Sequence, residues 1–188
     1  MYNVKCLLPT FTLAIAGIGI NPLVLVLAAD RSEQLTIEVH ASSEQGQGAA
    51  LGTIKVEPTP YGLLFTPELK GLAAGLHGFH IHENANCAPN TDAQAKVVPA
   101  GAAGGHFDPE KTGQHLGPYN SAGHLGDLPA LYVNAEGVAD YPVLAPKLRE
   151  LAQIKKRSIM IHAGGDNHSD HPAPLGGGGA RMACGVIN

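Results

Sequence analysis

Apolar and polar residues alternate along this chain in short runs, and no long run repeats at a helical period. Leu35, Ile37 and Val39 alternate with Thr36, Glu38 and His40. Ile54 and Val56 alternate with Thr53, Lys55 and Glu57, and Ile159 and Ile161 with Ser158, Met160 and His162. Successive side chains of a strand point to opposite faces, so each run predicts a strand with one buried face. Leu131 and Val133, followed by Val138 after Glu136-Gly137, predict a hairpin. The one helical candidate is short, Pro146 to Ile154, with Leu148 and Leu151 three apart. Twenty-four glycines and 14 prolines in 188 residues punctuate the backbone too often for a helical bundle. The expectation is an all-β antiparallel sandwich or barrel. With 44% hydrophobic residues the chain can build a real core, and its length suits one domain. A net charge of −4 argues against a general nucleic-acid binder.

Residues 1–29 stand apart. Lys5 is their only charge, and an apolar run from Leu7 to Ala29 follows it, interrupted by Asn21 and Pro22. Val26 and Ala28 give the small-residue spacing of a signal-peptidase site, with cleavage after Ala28 or Ala29. The alternative is an uncleaved membrane anchor, because the run is long enough to span a bilayer. The first reading predicts a secretory signal over 1–29 and a single domain over 30–188. The mature chain would be periplasmic or otherwise exported, with no stable membrane association. Losing Lys5 and no acid makes it one unit more negative. It also leaves two of the three cysteines, Cys87 and Cys184. An oxidising compartment invites one disulfide between them, and two buried free thiols are the alternative.

Two segments break the strand pattern, Glu83 to Pro129 and Ala163 to Gly179. Both are long, irregular and rich in Gly and Pro, and loops of this kind are functional or disordered. They hold most of the ten histidines. On the strand His77-Gly78-Phe79-His80-Ile81-His82, Phe79 and Ile81 share the core face. His80 and His82 therefore share the other face, and His77 falls on the Phe79 side. By the same alternation His162 points away from Ile159 and Ile161. Three imidazoles from two strands could then converge on one ion, although an H-x-H on a strand is by itself a weak signal. His106, His115 and His124 recur at nine-residue intervals, and Asp127 follows. Three imidazoles and a carboxylate make a full tetrahedral set for zinc. An all-imidazole group suits copper, among other metals. The competing view of the second set is a polar loop with scattered histidines. His168 and His171 lie in a polar segment and are expected to face solvent.

Four motifs carry a family resemblance: Gly78-Phe79-His80-Ile81-His82-Glu83, Gly104-Gly105-His106-Phe107-Asp108-Pro109, His124-Leu125-Gly126-Asp127-Leu128, and Gly179 to Ile187 with Arg181 and Cys184. Together they resemble copper/zinc superoxide dismutase. Gly164-Gly165-Asp166-Asn167 and Pro174 to Gly179 resemble its exported bacterial branch. The resemblance runs from about Leu35 to Asn188. It implies an eight-stranded flattened Greek-key β-barrel, an immunoglobulin-like sandwich architecture, with two long functional loops. It implies copper, one per subunit, on His80, His82, His106 and His162. It implies zinc, one per subunit, on His106, His115, His124 and Asp127, with His106 bridging the two metals. It also implies a Cys87–Cys184 disulfide, Arg181 beside the copper to guide and hold superoxide, and Asp166 linking a copper histidine to a zinc histidine.

The activity implied is dismutation, in which two superoxide anions and two protons give oxygen and hydrogen peroxide while copper alternates between its two oxidation states. His106 would take up a proton on reduction and deliver it on reoxidation. The substrate is an anion and the chain is net negative, so local charge must steer it. Arg181 is one source, and Lys96, in the loop before His106, is a second candidate against the plainer reading of a solvated lysine. The branch implies a monomer or a homodimer. The rival function is a non-catalytic exported copper/zinc-binding or copper-delivery protein, which would need ligands but no substrate arginine.

Overall fold

The computed structural model describes residues 33–188; the segment 1–29, on which the expected signal and cleavage site fall, lies outside them. One antiparallel sheet dominates. Its strands are β1 (Leu35–Ser43), β2 (Gly46–Thr59), β3 (Gly62–Lys70), β5 (Phe79–His82), β9 (Val138–Ala139), β10 (Val143–Ala145), β11 (Arg157–His162) and β12 (Arg181–Ile187). They follow the order β10-β3-β2-β1-β12-β11-β5, with β9 also on β3. The last strand thus lies beside the first, and the sheet curls into a half-barrel. Two small ribbons complete the strands: β4 (Gly75–His77) with β8 (Leu131–Val133), and β6 (Asn90–Thr91) with β7 (Val97–Val98).

The alternating runs bury the predicted faces. Ile37, Val39, Ile54, Val56, Phe79, Ile81, Ile159 and Ile161 lie in one apolar core, closed by Leu63, Phe65, Leu128 and Leu148. Phe65 and Phe79 meet edge to face with centroids 5.9 Å apart. On the opposite face of β11 and β12 a second, small cluster holds Met160 and both cysteines. Cys87 and Cys184 form a disulfide across 97 residues. The chain-entropy model gives a loop of that length about 4–5 kcal/mol.

Two local expectations need correction. Pro146 to Ile154 is not a helix; it contains one 3-10 turn, Leu151–Gln153. Glu150 is extended (φ −132, ψ 141), and the backbone N–H groups of Arg149 and Glu150 donate to Gln153 Oε1 instead of continuing a helical ladder. The three-residue apolar spacing marks a turn that buries Leu148, Leu151 and Ile154. The stretch around Glu136-Gly137 is a tight turn, with Asn134 Oδ1 accepting from Glu136 N and Val138 N, and Gly137 at φ 74. One backbone bond, Asn134 N to Val138 O at 2.9 Å, closes its arms as in a hairpin, but they do not extend it into a ladder: β8 pairs with β4 and β9 with β3. The turn passes the chain from the ribbon beside β5 to the far edge of the sheet.

Candidate metal centre

Strand β5 is the base of the site. Phe79 and Ile81 enter the core, so His80 and His82 project from the other face, where the loops bury them. Strand β11 pairs with β5 in the register Met160↔His80, which brings His162 to the same end. The long loop is then drawn against β5 by three backbone bonds. Phe107 N donates to Ile81 O, Ile81 N to Gly126 O, and Gly126 N to Phe107 O, all at 2.8–2.9 Å. Side chains cannot fit at that crossing: a Cβ on Gly126 would sit 2.3 Å from Ile81 O. These contacts place His106 opposite His82 and Asp127 opposite His80.

Six histidines converge as a result. His106 is central, with ring centroids 4.0 Å from His80, 5.1 Å from His82, 5.2 Å from His115, 5.3 Å from His124 and 6.0 Å from His162. Two overlapping sets of ligand atoms lie within 4.8 Å of one another: His80, His82, His106 and His162, and His80, His106, His115 and Asp127. His124 falls outside the second set by this measure, yet its Nδ1 is 3.3 Å from Asp127 Oδ1. On the same oxygen converge His106 Nδ1 at 2.9 Å and His115 Nδ1 at 3.1 Å. His80 enters the second set only by proximity, because its Nε2 is already held by Asp166 at 2.8 Å.

Hydrogen bonds fix the tautomers. A carboxylate or carbonyl oxygen only accepts, so the nitrogen facing it carries the proton and the other nitrogen keeps a lone pair. His80 Nε2 donates to Asp166 Oδ2 and His115 Nε2 to Asp166 Oδ1, both at 2.8 Å. His82 Nδ1 donates to Gly104 O at 2.9 Å, and His162 Nδ1 to Gly179 O at 3.2 Å. The opposite atoms, His80 Nδ1, His82 Nε2 and His162 Nε2, are buried without a hydrogen-bond partner, as is His106 Nε2; His115 Nδ1 and His124 Nδ1 are also buried and, although 3.1 and 3.3 Å from Asp127 Oδ1, make no hydrogen bond to it. Buried polar atoms without partners are costly and rare. Six of them aimed into one cluster fit metal ions as their missing partners. His77 is the contrast: its two ring nitrogens face the carbonyls of His162 and Ala73 at 2.8 Å, leaving nothing for a metal.

Electrostatics divide the cluster. Burial pushes His80 down to about 3 and His162 to about 4, and holds His82 and His106 below their ordinary value. His115 goes the other way. Burial lowers it, but the Asp127 and Asp166 carboxylates outweigh burial and raise it to about 9. Burial would raise Asp127 and Asp166, but the surrounding imidazoles hold both well below the usual carboxylate range.

Asp166 is thus found between His80 and His115. It fits there because Gly176 stands opposite, where a Cβ would lie 2.1 Å from Asp166 Oδ1. Arg181 is half-buried, with Nη1 and Nη2 donating at 2.6 Å to Ala100 O and Gly104 O. The Gly104 carbonyl therefore holds both Arg181 and His82, a link that residue spacing did not reveal. Arg181 lines a cleft of about 270 Å³ together with Asn90, Thr91 and Asp92. Lys96 lies exposed in the turn between β6 and β7, its backbone N–H held by Asp92 Oδ1 at 2.9 Å. His171 is exposed, whereas His168 is half-buried, its ring against Gly117 and 6.3 Å from that of Tyr119.

Known proteins share this arrangement of sequence and fold. Residues 50–187 match the family described as copper/zinc superoxide dismutase (SODC). A copper-zinc superoxide dismutase of Salmonella typhimurium is 61% identical over 153 residues, which are 81% of this chain and 86% of the relative. One from Haemophilus parainfluenzae is 48% identical over 187 residues, 100% of both chains. The solved structure of the Cu/Zn superoxide dismutase from Brucella abortus superposes with a TM-score of 0.81 at 51% identity, covering 83% of this chain and 100% of that one. The monomeric enzyme from Salmonella enterica gives 0.74, also at 51% and with the same coverage of both chains. The chain belongs to the copper/zinc superoxide dismutase family.

Proposed function

We propose that this chain dismutates superoxide to oxygen and hydrogen peroxide, holding copper on His80, His82, His106 and His162 and zinc on His106, His115, His124 and Asp127. The observation that carries this reading is the set of partnerless buried nitrogens on either side of His106. Copper supplies reversible one-electron transfer when bound, and zinc supplies a redox-silent charge that orders the loop.

The protein's own groups do the rest. His106 Nδ1 is engaged by Asp127 at 2.9 Å, so Nε2, the atom facing the other three copper-side imidazoles, keeps a lone pair and is the position that can take up a proton. Asp166 fixes the rings of His80 and His115 together, tying the two groups mechanically. Arg181, clamped by two carbonyls, offers a fixed cation and unused donors to an anion entering the cleft. A metal carrier has no need of a clamped guanidinium at an open cleft.

The test is metal analysis beside a superoxide assay on the purified protein. We expect one copper and one zinc per chain with dismutation. Full metal loading without dismutation would leave the carrier function in its place.

Lys96 supplies a second steering charge in this reading. Its backbone N–H is held by Asp92, and Asp92 lines the same cleft as Arg181. Lys96→Ala then slows the enzyme severalfold at low salt and flattens the decline of its rate with ionic strength, because long-range attraction is screened beyond a Debye length of about 10 Å at 0.1 M. An unchanged slope assigns Lys96 to ordinary solvated loop. The reading extends to export and assembly. Segment 1–29 directs the chain to the periplasm as a cleaved signal, leaving no membrane anchor, and a homodimer is the assembly that exposed Leu76, Tyr132 and Tyr141 would serve.

A further inference from the structure

Lys147 follows β10 on a segment rooted in the core. Ala145 and Leu148 are buried on either side of it, and Leu63 N donates to Leu148 O at 2.9 Å. From this base the half-buried side chain reaches into the metal loop. Its Nζ donates to Gly117 O at 2.9 Å, Asn120 O at 3.3 Å and His124 O at 2.5 Å. An ammonium has three N–H donors and no acceptor, and three carbonyls take all three.

Those carbonyls belong to one excursion of the chain. It leaves just after His115 and returns at His124, and its tip, Asn120 to Ala122, is exposed. Few other bonds fasten it. His124 N donates to Gln114 O at 3.0 Å, Gly123 N to Asn120 O at 3.4 Å, and Gly117 N to Asp127 Oδ2 at 3.3 Å. A loop with so little apolar anchorage is expected to open first. We propose that Lys147 is a positioning residue for the zinc group: its ammonium gathers the Gly117, Asn120 and His124 carbonyls and so holds His124 Nδ1 against Asp127. Without it, three carbonyl dipoles converge with no donor between them, the excursion relaxes, and His124 moves with it. The inference rests on His115, His124 and Asp127 being the zinc donors.

Lys147→Met tests it in the copper- and zinc-loaded protein, with zinc release to a chromogenic chelator followed in time and copper content measured in parallel. Release is expected to be about tenfold faster or more, the usual cost of losing a supporting residue at a metal site, with copper retained. The absorption spectrum of the protein with Co²⁺ in place of zinc should shift as well, reporting altered ligand geometry. Release at the wild-type rate, or parallel loss of both metals, overturns the proposal. Lys147→Arg keeps a cation on the same base and should release zinc more slowly than Lys147→Met; release as fast as in the Met variant overturns the role of the charge. His124→Ala separates the two levels. Fast zinc loss there with slow loss in Lys147→Met removes only the Lys147 inference, whereas slow loss in both removes the zinc assignment beneath it.

Discussion

His162→Ala should reduce dismutation by several orders of magnitude, to the level of the copper-free protein, while zinc stays bound at one per chain. His162 supplies one of the four partnerless nitrogens on the copper side, and its ring centroid lies 4.9 Å from His80 and 5.6 Å from His82. It takes no part in the set around Asp127 Oδ1, where His106, His115 and His124 converge. Truncation therefore removes a copper donor and leaves every zinc donor in place. The backbone should hold, because His162 N donates to Gly78 O at 2.9 Å and the His162 carbonyl still faces His77. Elemental analysis and the superoxide assay on one preparation read both halves of the expectation. Equal loss of copper and zinc would mean that the donors are grouped wrongly. Retained activity would remove His162 from the site altogether.

How much of this was legible beforehand depended on range. The alternation in β5 and β11 located the core faces and put His80, His82 and His162 together, because strand periodicity is local. The nine-residue spacing of His106, His115 and His124 did not by itself show convergence. That needs the crossing of Gly126 between Ile81 and Phe107, three backbone bonds between segments far apart in sequence. Asp166 entered only through family resemblance, since its partners are 86 and 51 residues away. The turn at Glu136-Gly137 is readable from sequence, but strand partnership is not, because pairing is decided by the whole sheet. The apolar spacing over Pro146 to Ile154 mimics a helical period, but the extended Glu150 interrupts any helix there. Lys147 left no local signal at all; a single lysine between Pro146 and Leu148 looks solvated until the carbonyls it binds are seen.

Stripping both metals should cost a large part of the stability at neutral pH and leave a distinctive pH profile. A metal that binds only the folded chain adds its binding free energy to folding, on the order of 10–16 kcal/mol for structural zinc in small peptides, and removal forfeits that contribution. What remains is a folded chain with six imidazoles packed together. His80 and His162 have folded values of about 3 and about 4, pushed down by burial, against about 6.5 when unfolded. Below pH 6.5 the unfolded chain takes up protons that these residues refuse when folded, so stability falls as pH falls. His82 and His106, also lowered, add to the slope. His115 acts in the opposite sense. Burial lowers it, but its two carboxylate neighbours raise it to about 9, so its contribution is complete below 6.5 and is lost as pH climbs through 9. The metal-free protein should therefore be most stable near pH 6.5 and lose stability on both sides, more steeply towards acid, where four residues act, than towards base, where one does. Urea unfolding of the chelator-stripped and metal-reconstituted proteins between pH 4 and 9 measures this directly. A flat profile for the stripped protein would mean that the imidazoles are not buried together beside Asp127 and Asp166, and a midpoint at pH 7 equal to that of the reconstituted protein would mean that no metal contributes to the fold.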